Sequence, residues 1–249
     1  MLEISKLNKT FDGIQAVRSF DLHLRPGKIT ALIGPNGAGK TTLFNLITGF
    51  ISPTSGEVVW KERNITNMSS HRIARQGISR TFQQVKLFRS LTIAENLLIA
   101  KRKGAYEGLL AALVKRTAFK KMARQHRSEL QYHLEVLRLS DKADDPASAL
   151  SYGQSKLIEI LRAAETDPQL LLLDEPVAGL NPVMVETIKS FIITLLKQRG
   201  ITLFFIEHNI PFVFDVADWV VVMDHGVKIA EGAPEAIRDD PKVIEAYLG

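Results

Sequence analysis

The hydrophobic positions of this 249-residue chain follow two different periods, which predicts a mixture of strands and helices. Continuous apolar runs at 29–33, 170–173 and 201–206 are typical of strands in a parallel sheet that is covered on both sides. Residues 2–24 hold short alternating segments that end at a Pro-Gly turn, which predicts a strand-rich start. A further alternating stretch at 219–232 predicts a β-hairpin. The pattern as a whole indicates an α/β fold.

The middle of the chain has a helical pattern. Thr92 and Glu95 form a capping-box pair in front of an apolar run, so a helix is predicted to begin there. Helical spacing continues to Leu139, and a polar loop containing Pro146 follows. We therefore predict a helical insertion over roughly 85–150.

The stretch GPNGAGKTT lies between the run at 29–33 and an amphipathic helical segment. It satisfies the phosphate-loop pattern G-x-x-x-x-G-K-[ST], in which backbone N–H groups and a helix N-terminus surround a phosphate. Lys40 is expected to reach the terminal phosphates, and the Thr41 hydroxyl is suited to Mg²⁺. Chance produces this pattern in about one per cent of chains of this length, so the strand and helix on either side favour a true nucleotide site. The residues predicted to bind the nucleotide here are Gly34, Pro35, Asn36, Gly37, Ala38, Gly39, Lys40, Thr41 and Thr42.

Two carboxylates, Asp174 and Glu175, follow the apolar run at 170–173, where ligands bind in open α/β sheets. In a two-part Mg-nucleotide site Thr41 binds the ion directly and the aspartate orients it, usually through water. The glutamate is placed to polarise the water that attacks the γ-phosphate, although a strand-end carboxylate is also a common salt-bridge partner. The predicted cofactors are therefore ATP and Mg²⁺.

Composition and charge narrow the class of protein. The chain has no cysteine, which excludes disulfides and thiolate metal sites, and it has no apolar window near the length of a membrane span. Its net charge of +5 is uneven, because residues 101–130 hold an excess of seven positive charges and the rest of the chain sums to −2. This basic segment predicts a docking face for an acidic surface, a membrane or a partner, unless it is an ordinary solvated helix face.

The phrase LSYGQ at 150–154, together with the Asp-Glu pair and the histidine at 208, resembles the ATP-binding subunits of ABC transporters. The resemblance covers essentially the whole chain, and the motifs stand in the order of that family. It implies a P-loop NTPase (RecA-like) core with an N-terminal antiparallel β subdomain and an inserted α-helical subdomain. The core with its β subdomain is expected over 1–84 and 155–249, and the helical subdomain with the signature motif over 85–154.

The same resemblance assigns roles to residues outside the phosphate loop. Phe11 matches the aromatic residue that stacks on adenine, although by itself it is equally compatible with a place in the core. The signature residues expected to contact a nucleotide bound by an opposite subunit are Ser151, Gly153 and Gln154. The implied catalytic residues are Glu175, the switch histidine His208 and Gln83, and the implied metal residues are Thr41, Gln83 and Asp174.

Two positions depart from the general family pattern. Tyr152 replaces the first signature glycine, and Asn181 replaces an aspartate, so a contact across the dimer loses a charge. These departures, together with RTFQ, AGLNP, IEHN and the C-terminal tail, look like the ATP-binding subunits of branched-chain amino acid importers. Subunits for urea, short amides or lipid export share several of the same phrases.

The resemblance implies an ATPase subunit at the cytoplasmic face of the inner membrane that powers uptake of a hydrophobic, branched-chain amino acid. The implied partners are a second ATP-binding subunit, two membrane-spanning permease subunits and, indirectly, a periplasmic binding protein, with no nucleic acid. Two alternatives stay open. One is a soluble ABC-type ATPase that acts on nucleic acid or ribosomes, and the other is a regulatory subunit that does not hydrolyse ATP.

Overall fold

The computed structural model describes residues 1–81, 86–101 and 128–248. Residues 1–81 form β1 (Leu2–Phe11), β2 (Ile14–Leu24), β3 (Ile29–Ile33), α1 (Lys40–Ile47), β4 (Ser55–Trp60), β5 (Arg63–Asn64), α2 (Ser70–Arg75) and β6 (Ile78–Arg80). The later elements are α3 (Ile93–Ala100), α4 (Tyr152–Ala164), β7 (Leu170–Asp174), α5 (Pro182–Arg199), β8 (Thr202–Ile206), α6 (Ile210–Val216), β9 (Trp219–Asp224), β10 (Val227–Gly232), α7 (Pro234–Arg238) and α8 (Pro241–Leu248). Two short 3₁₀ turns and a helical stretch at 128–136 lie between α3 and α4.

The strand-rich start forms an antiparallel sheet with the order β2-β1-β4-β5. β1 pairs with β2 from Leu2 opposite Leu24 to Phe11 opposite Ile14, and its other edge pairs with β4. Alternate side chains of β2, including Phe20 and Leu22, are buried, as the period of two predicts. The N-terminal antiparallel sheet is thereby confirmed.

The second sheet has six strands in the order β10-β9-β3-β8-β7-β6. β9, β3, β8, β7 and β6 are parallel, and only β10 runs antiparallel as the second strand of the predicted hairpin. β7 and β8 are buried at every position, which explains their continuous apolar sequences. Because parallel strands end at the same edge, the residues that follow β3, β7 and β8 are brought together there.

The helix α1 and both sheets share one hydrophobic core. Leu43, Phe44 and Ile47, which the sequence places on one side of this helix, are all buried. The Phe44 ring lies 5.0 Å from that of Phe204 on β8, measured between ring centroids. This packing fixes the helix that follows the phosphate loop against the strands that end beside it.

The chain divides into two compact units, Met1–Gln83 with Gln169–Gly249 and Gln84–Pro168. The second unit extends to Pro168 and includes α4, whereas the sequence prediction ended the helical part at 154. The capping box of Thr92 and Glu95 is present at the start of α3, as predicted. Among the described helices, none combines the length and apolar character that crossing a membrane would need.

Two predictions fall outside the described residues. Gln83 is one, and the basic segment from 102 to 127 is the other. Lys101, directly before those residues and counted in the excess of positive charge, is described; its side chain is 9 % exposed and forms ion pairs with Glu129 and Glu165 in the second unit.

Candidate functional site

The phosphate loop occupies the turn between β3 and α1 and depends on glycines at both ends. A Cβ atom on Gly34 would lie 1.9 Å from the Met223 carbonyl oxygen, and one on Gly39 would lie 2.2 Å from that of Ala16. Both glycines also have positive φ values, 150° and 101°. The backbone can therefore approach its neighbours this closely only without side chains at these positions.

Among the described residues, no side chain caps the backbone N–H groups at the start of α1. The N-cap residue is Gly39, which makes no side-chain capping bond, and no acidic residue lies in the first turn. The loop itself is braced by the Gly226 N–H, which donates to the Ala38 carbonyl at 2.9 Å. The result is a helix N-terminus that attracts an anion.

Lys40 is 6 % exposed, and its Nζ donates to the carbonyl oxygens of Gly34 and Pro35, each at 2.7 Å. Burial lowers the pKa of this ammonium group, while the negative charges of Glu175 and Asp174 act in the opposite direction. A desolvated cation held beside a loop of N–H donors suits the phosphates of a nucleotide.

Asp174, at the end of β7, is buried, and both its backbone and its side chain have hydrogen-bond partners. Its backbone N–H lies 3.3 Å from the hydroxyl oxygen of Thr81, and its Oδ2 accepts a hydrogen bond from Arg80 Nη2 at 2.9 Å. Asp174 lies at a strand end, as the sequence predicts, whereas Arg80 was not among the predicted site residues. The available signal was the position of this arginine at the start of RTFQ, directly after Ile78 and Ser79.

Glu175 directly follows β7 and has a φ of 49°, in the left-handed region that residues other than glycine rarely adopt. Its N–H donates to the Ile206 carbonyl at 3.0 Å, which fixes this turn against β8. Its Oε1 lies 3.3 Å from His208 Nε2, and both side chains are partly exposed. The structure therefore brings together two of the residues that the sequence predicts to be catalytic.

Glu207, between β8 and His208, is a buried carboxylate that sequence reasoning did not assign to the site. It accepts N–H groups from Val177 at 2.8 Å, from His208 at 2.9 Å and from Asn209 at 3.2 Å. Burial raises its pKa, the three N–H donors lower it, and the charge of Glu175 raises it. Glu207 thus ties the segment after Glu175 to the loop that carries the histidine.

Phe11, at the end of β1, is 42 % exposed, and the Lys9 ammonium lies 4.8 Å from the centre of its ring. This exposure excludes the alternative that Phe11 belongs to the buried core. Its predicted contact with adenine stays a prediction.

The predicted signature residues lie in the second compact unit, at the start of α4. Ser151 is the N-cap, and its hydroxyl accepts the Gln154 N–H at 3.3 Å, while the Gln154 side-chain oxygen accepts the Ser151 N–H at 3.1 Å. Gly153 is buried and Tyr152 is exposed. Ser151 and Gly153 therefore stand at the N-terminus of a helix.

Tyr247, on the C-terminal helix α8, contacts the first residue of the phosphate loop. A hydrogen bond with the Gly34 backbone lowers the pKa of Tyr247, but burial outweighs it and raises that pKa to about 12. The sequence carried no signal for this contact, because more than 200 residues separate the partners.

The comparisons with known proteins decide the family. A family model described as "ABC transporter" matches residues 17–178, which include the phosphate loop, the signature residues and both strand-end carboxylates. This chain belongs to the ABC transporter family. A second model, "Branched-chain amino acid ATP-binding cassette transporter", matches residues 227–249 of this ABC cassette.

Relatives and solved structures agree with this assignment over the full chain. The cassette is 41 % identical to the high-affinity branched-chain amino acid transport ATP-binding protein BraF of Pseudomonas aeruginosa. It is 40 % identical to the high-affinity branched-chain amino acid transport ATP-binding protein LivG of Escherichia coli. Each match covers 100 % of this chain and 98 % of the relative. A nucleotide-free ATP-binding cassette from an ABC transporter superposes with a TM-score of 0.83 at 35 % identity, covering 100 % and 99 % of the two chains. The ADP conformation of an ATP-binding cassette also gives a TM-score of 0.83, at 34 % identity with coverages of 100 % and 98 %.

Proposed function

We propose that this ABC cassette is the ATP-hydrolysing subunit of an importer for branched-chain amino acids. The observation that carries the proposal is the convergence of Lys40, Asp174, Glu175 and His208 at one edge of the parallel sheet. The names of the relatives and the separate family match at 227–249 support the substrate class. Subunits for urea, short amides or lipid export remain the alternative substrate assignment.

The arrangement suggests how each group acts. The Lys40 ammonium and the N–H groups at the start of α1 would bind the β- and γ-phosphates. Glu175 would accept a proton from the attacking water as its oxygen bonds to the γ-phosphorus and the bond to ADP breaks. His208, 3.3 Å from Glu175, would hold that carboxylate and contact the γ-phosphate.

The residues at the loop and at the end of β7 also fit Mg²⁺. Thr41 and Asp174 offer a hydroxyl and a carboxylate, the oxygen ligands that this ion prefers, and Gln83 is the third predicted ligand. When bound with ATP, the ion would offset the negative charge of the phosphates. Phe11, exposed at the end of β1, would stack on the adenine.

A second ATP-binding subunit completes the proposed site. The start of α4, with Ser151, Gly153 and Gln154, would contact the nucleotide held by that other subunit, as the family resemblance implies. The cassette would act beneath two permease subunits at the cytoplasmic face of the membrane and serve a periplasmic binding protein indirectly. ATP would then favour the closed pair of cassettes, and hydrolysis would release it.

The test uses Glu175→Gln, which keeps the size of the side chain and removes its basicity. We expect ATP turnover to fall by at least about 100-fold, as for loss of a general base, while Mg-ATP affinity changes little. Slow hydrolysis should also let an ATP-bound dimer accumulate, which size-exclusion chromatography measures.

Lys40→Ala is the matched control, because it should prevent the dimer by weakening nucleotide binding. Wild-type turnover in the Glu175→Gln protein would remove Glu175 from the mechanism. Absence of Mg-ATP turnover in the wild-type protein would instead favour a regulatory subunit.

A further inference from the structure

Arg80, the last residue of β6, carries a buried guanidinium group that contacts residues of β7 and α1 beside the proposed nucleotide site. Its side chain is 7 % exposed, and that of its partner Asp174 is 3 % exposed. Nη2 donates to Asp174 Oδ2 at 2.9 Å, while Nη1 donates to Asn45 Oδ1 at 2.7 Å and lies 3.1 Å from Thr48 Oγ1. One guanidinium group thus joins the end of β7 to the last turn of α1.

The strand register explains why Arg80 reaches Asp174. Arg80 is paired with Leu172 on β7, and Asp174 lies two residues further along on the same face of that strand. The Thr81 N–H donates to the Leu172 carbonyl at 3.0 Å, which holds this register to the end of β6. The guanidinium carbon also lies 5.5 Å from the centre of the Phe44 ring, so the long side chain packs against α1 while its head spans the gap.

We propose that Arg80 is a positioning residue for the divalent-ion site of this cassette. It engages Oδ2 of Asp174 and fixes the carboxylate, so that Oδ1 is the oxygen with which Asp174 takes part in binding the ion. Through Asn45 and Thr48 it also sets the distance between that carboxylate and α1, the helix that begins with Lys40 and Thr41. The inference rests on the proposed function, because it concerns the same Mg-nucleotide site.

The proposed positioning role requires an arginine at position 80 and not simply a positive charge. The guanidinium is planar and carries several N–H donors, so it can bind a carboxylate and a helix acceptor together. A lysine at position 80 would keep the charge but hold it on a single nitrogen, which cannot satisfy both sides with the same geometry. Residues that orient metal ligands without touching the metal commonly contribute about 10- to 100-fold in metal affinity or activity.

The experiment measures nucleotide binding rather than turnover. A fluorescent ATP analogue is titrated against the purified full chain in EDTA and at a series of Mg²⁺ concentrations, for wild type, Arg80→Lys and Arg80→Gln. We expect the Mg²⁺ concentration for half-saturation to rise by about 10-fold or more in both variants, as for loss of a ligand-orienting residue. Analogue affinity in EDTA should stay within about two-fold of wild type, because Lys40 and the loop donors are unchanged.

Two controls separate positioning from a structural role. Arg25→Gln removes an exposed arginine that packs on Trp219 in the same compact unit, and it should leave the Mg²⁺ requirement unchanged. Asn45→Ala removes one of the two Arg80 contacts at the end of α1 and keeps the pair with Asp174, so its shift should be smaller than that of Arg80→Gln.

Three results would overturn the inference or its basis. If Arg80→Lys lowers the thermal midpoint but keeps the wild-type Mg²⁺ requirement, Arg80 only stabilises the fold. If affinity falls equally in EDTA and in Mg²⁺, it supports the phosphate loop and not the ion site. If the wild-type protein binds no Mg-ATP in this titration, the proposed function itself is wrong, and that result is distinct from a change seen only in the Arg80 variants.

Discussion

Glu175 shows how a single residue can combine an unfavourable backbone conformation with a predicted chemical role. Its φ of 49° costs about 1–2 kcal/mol for a residue with a Cβ atom. The hydrogen bond from its N–H to the Ile206 carbonyl and the contact with His208 hold Glu175 in this conformation. These contacts at the edge of the sheet offset the unfavourable backbone energy. Strained residues of this kind are concentrated at functional sites, which agrees with the proposed role as general base.

Phe11 allows a single-residue test of the predicted contact with adenine. Because its ring is exposed, Phe11→Ala should remove little stability but lose about 1–3 kcal/mol of base stacking, while Phe11→Tyr should be tolerated. Isothermal titration with ATP measures the loss. Ile14→Ala is the matched control, since Ile14 pairs with Phe11 in the strand register and is 74 % exposed. Unchanged ATP affinity in Phe11→Ala would contradict the stacking role.

At the scale of elements, buried charges hold the helices of the second unit together. Lys101, just after α3, pairs with Glu165 at the end of α4 at 2.9 Å and with Glu129 in the helical stretch at 128–136. His133 Nδ1 lies 3.0 Å from the other oxygen of Glu165. Glu165 is fully buried, so its charge depends on these partners.

We expect Lys101→Met to lower the free energy of unfolding by about 3–5 kcal/mol, because it removes a cation that pairs with the buried Glu165 carboxylate. Urea denaturation followed by circular dichroism measures the change. Arg89→Met removes an equal charge from an exposed position of the same unit and should change stability by less than about 0.5 kcal/mol. Equal stability of the two variants would show that the pair with Lys101 contributes nothing to the fold.

At the scale of the whole molecule, the two ends of the chain belong to one compact unit. The phosphate loop, in the N-terminal part of that unit, is contacted by residues from its C-terminal part. The loop follows β3 near the N-terminus, is braced by the turn at Gly226, and contacts Tyr247 on the last helix. The segment matched by the branched-chain family model therefore lies beside the phosphate loop and is not a separate tail.

The uneven distribution of charge along the chain also leads to a prediction. The excess of seven positive charges in 101–130 suggests contact with acidic groups of the permease subunits or with anionic lipid headgroups. Reversal of Lys115, Arg116, Lys120 and Lys121 to glutamate should weaken assembly of the membrane complex, more so at low salt. Co-purification with the permease subunits at two ionic strengths measures this, and normal assembly would leave the segment as a solvated face.

The sequence by itself determined the features that contiguous residues create. The phosphate loop around Lys40 and the capping of α4 by Ser151 follow from local spacing, and the buried parallel strands follow from continuous apolar runs. The tertiary structure alone decided which distant groups meet. Arg80 and Asp174 are 94 residues apart, and Glu207 reaches a backbone N–H 30 residues away, so no local pattern could pair them. Such contacts depend on strand order and register, which arise only when the sheet forms.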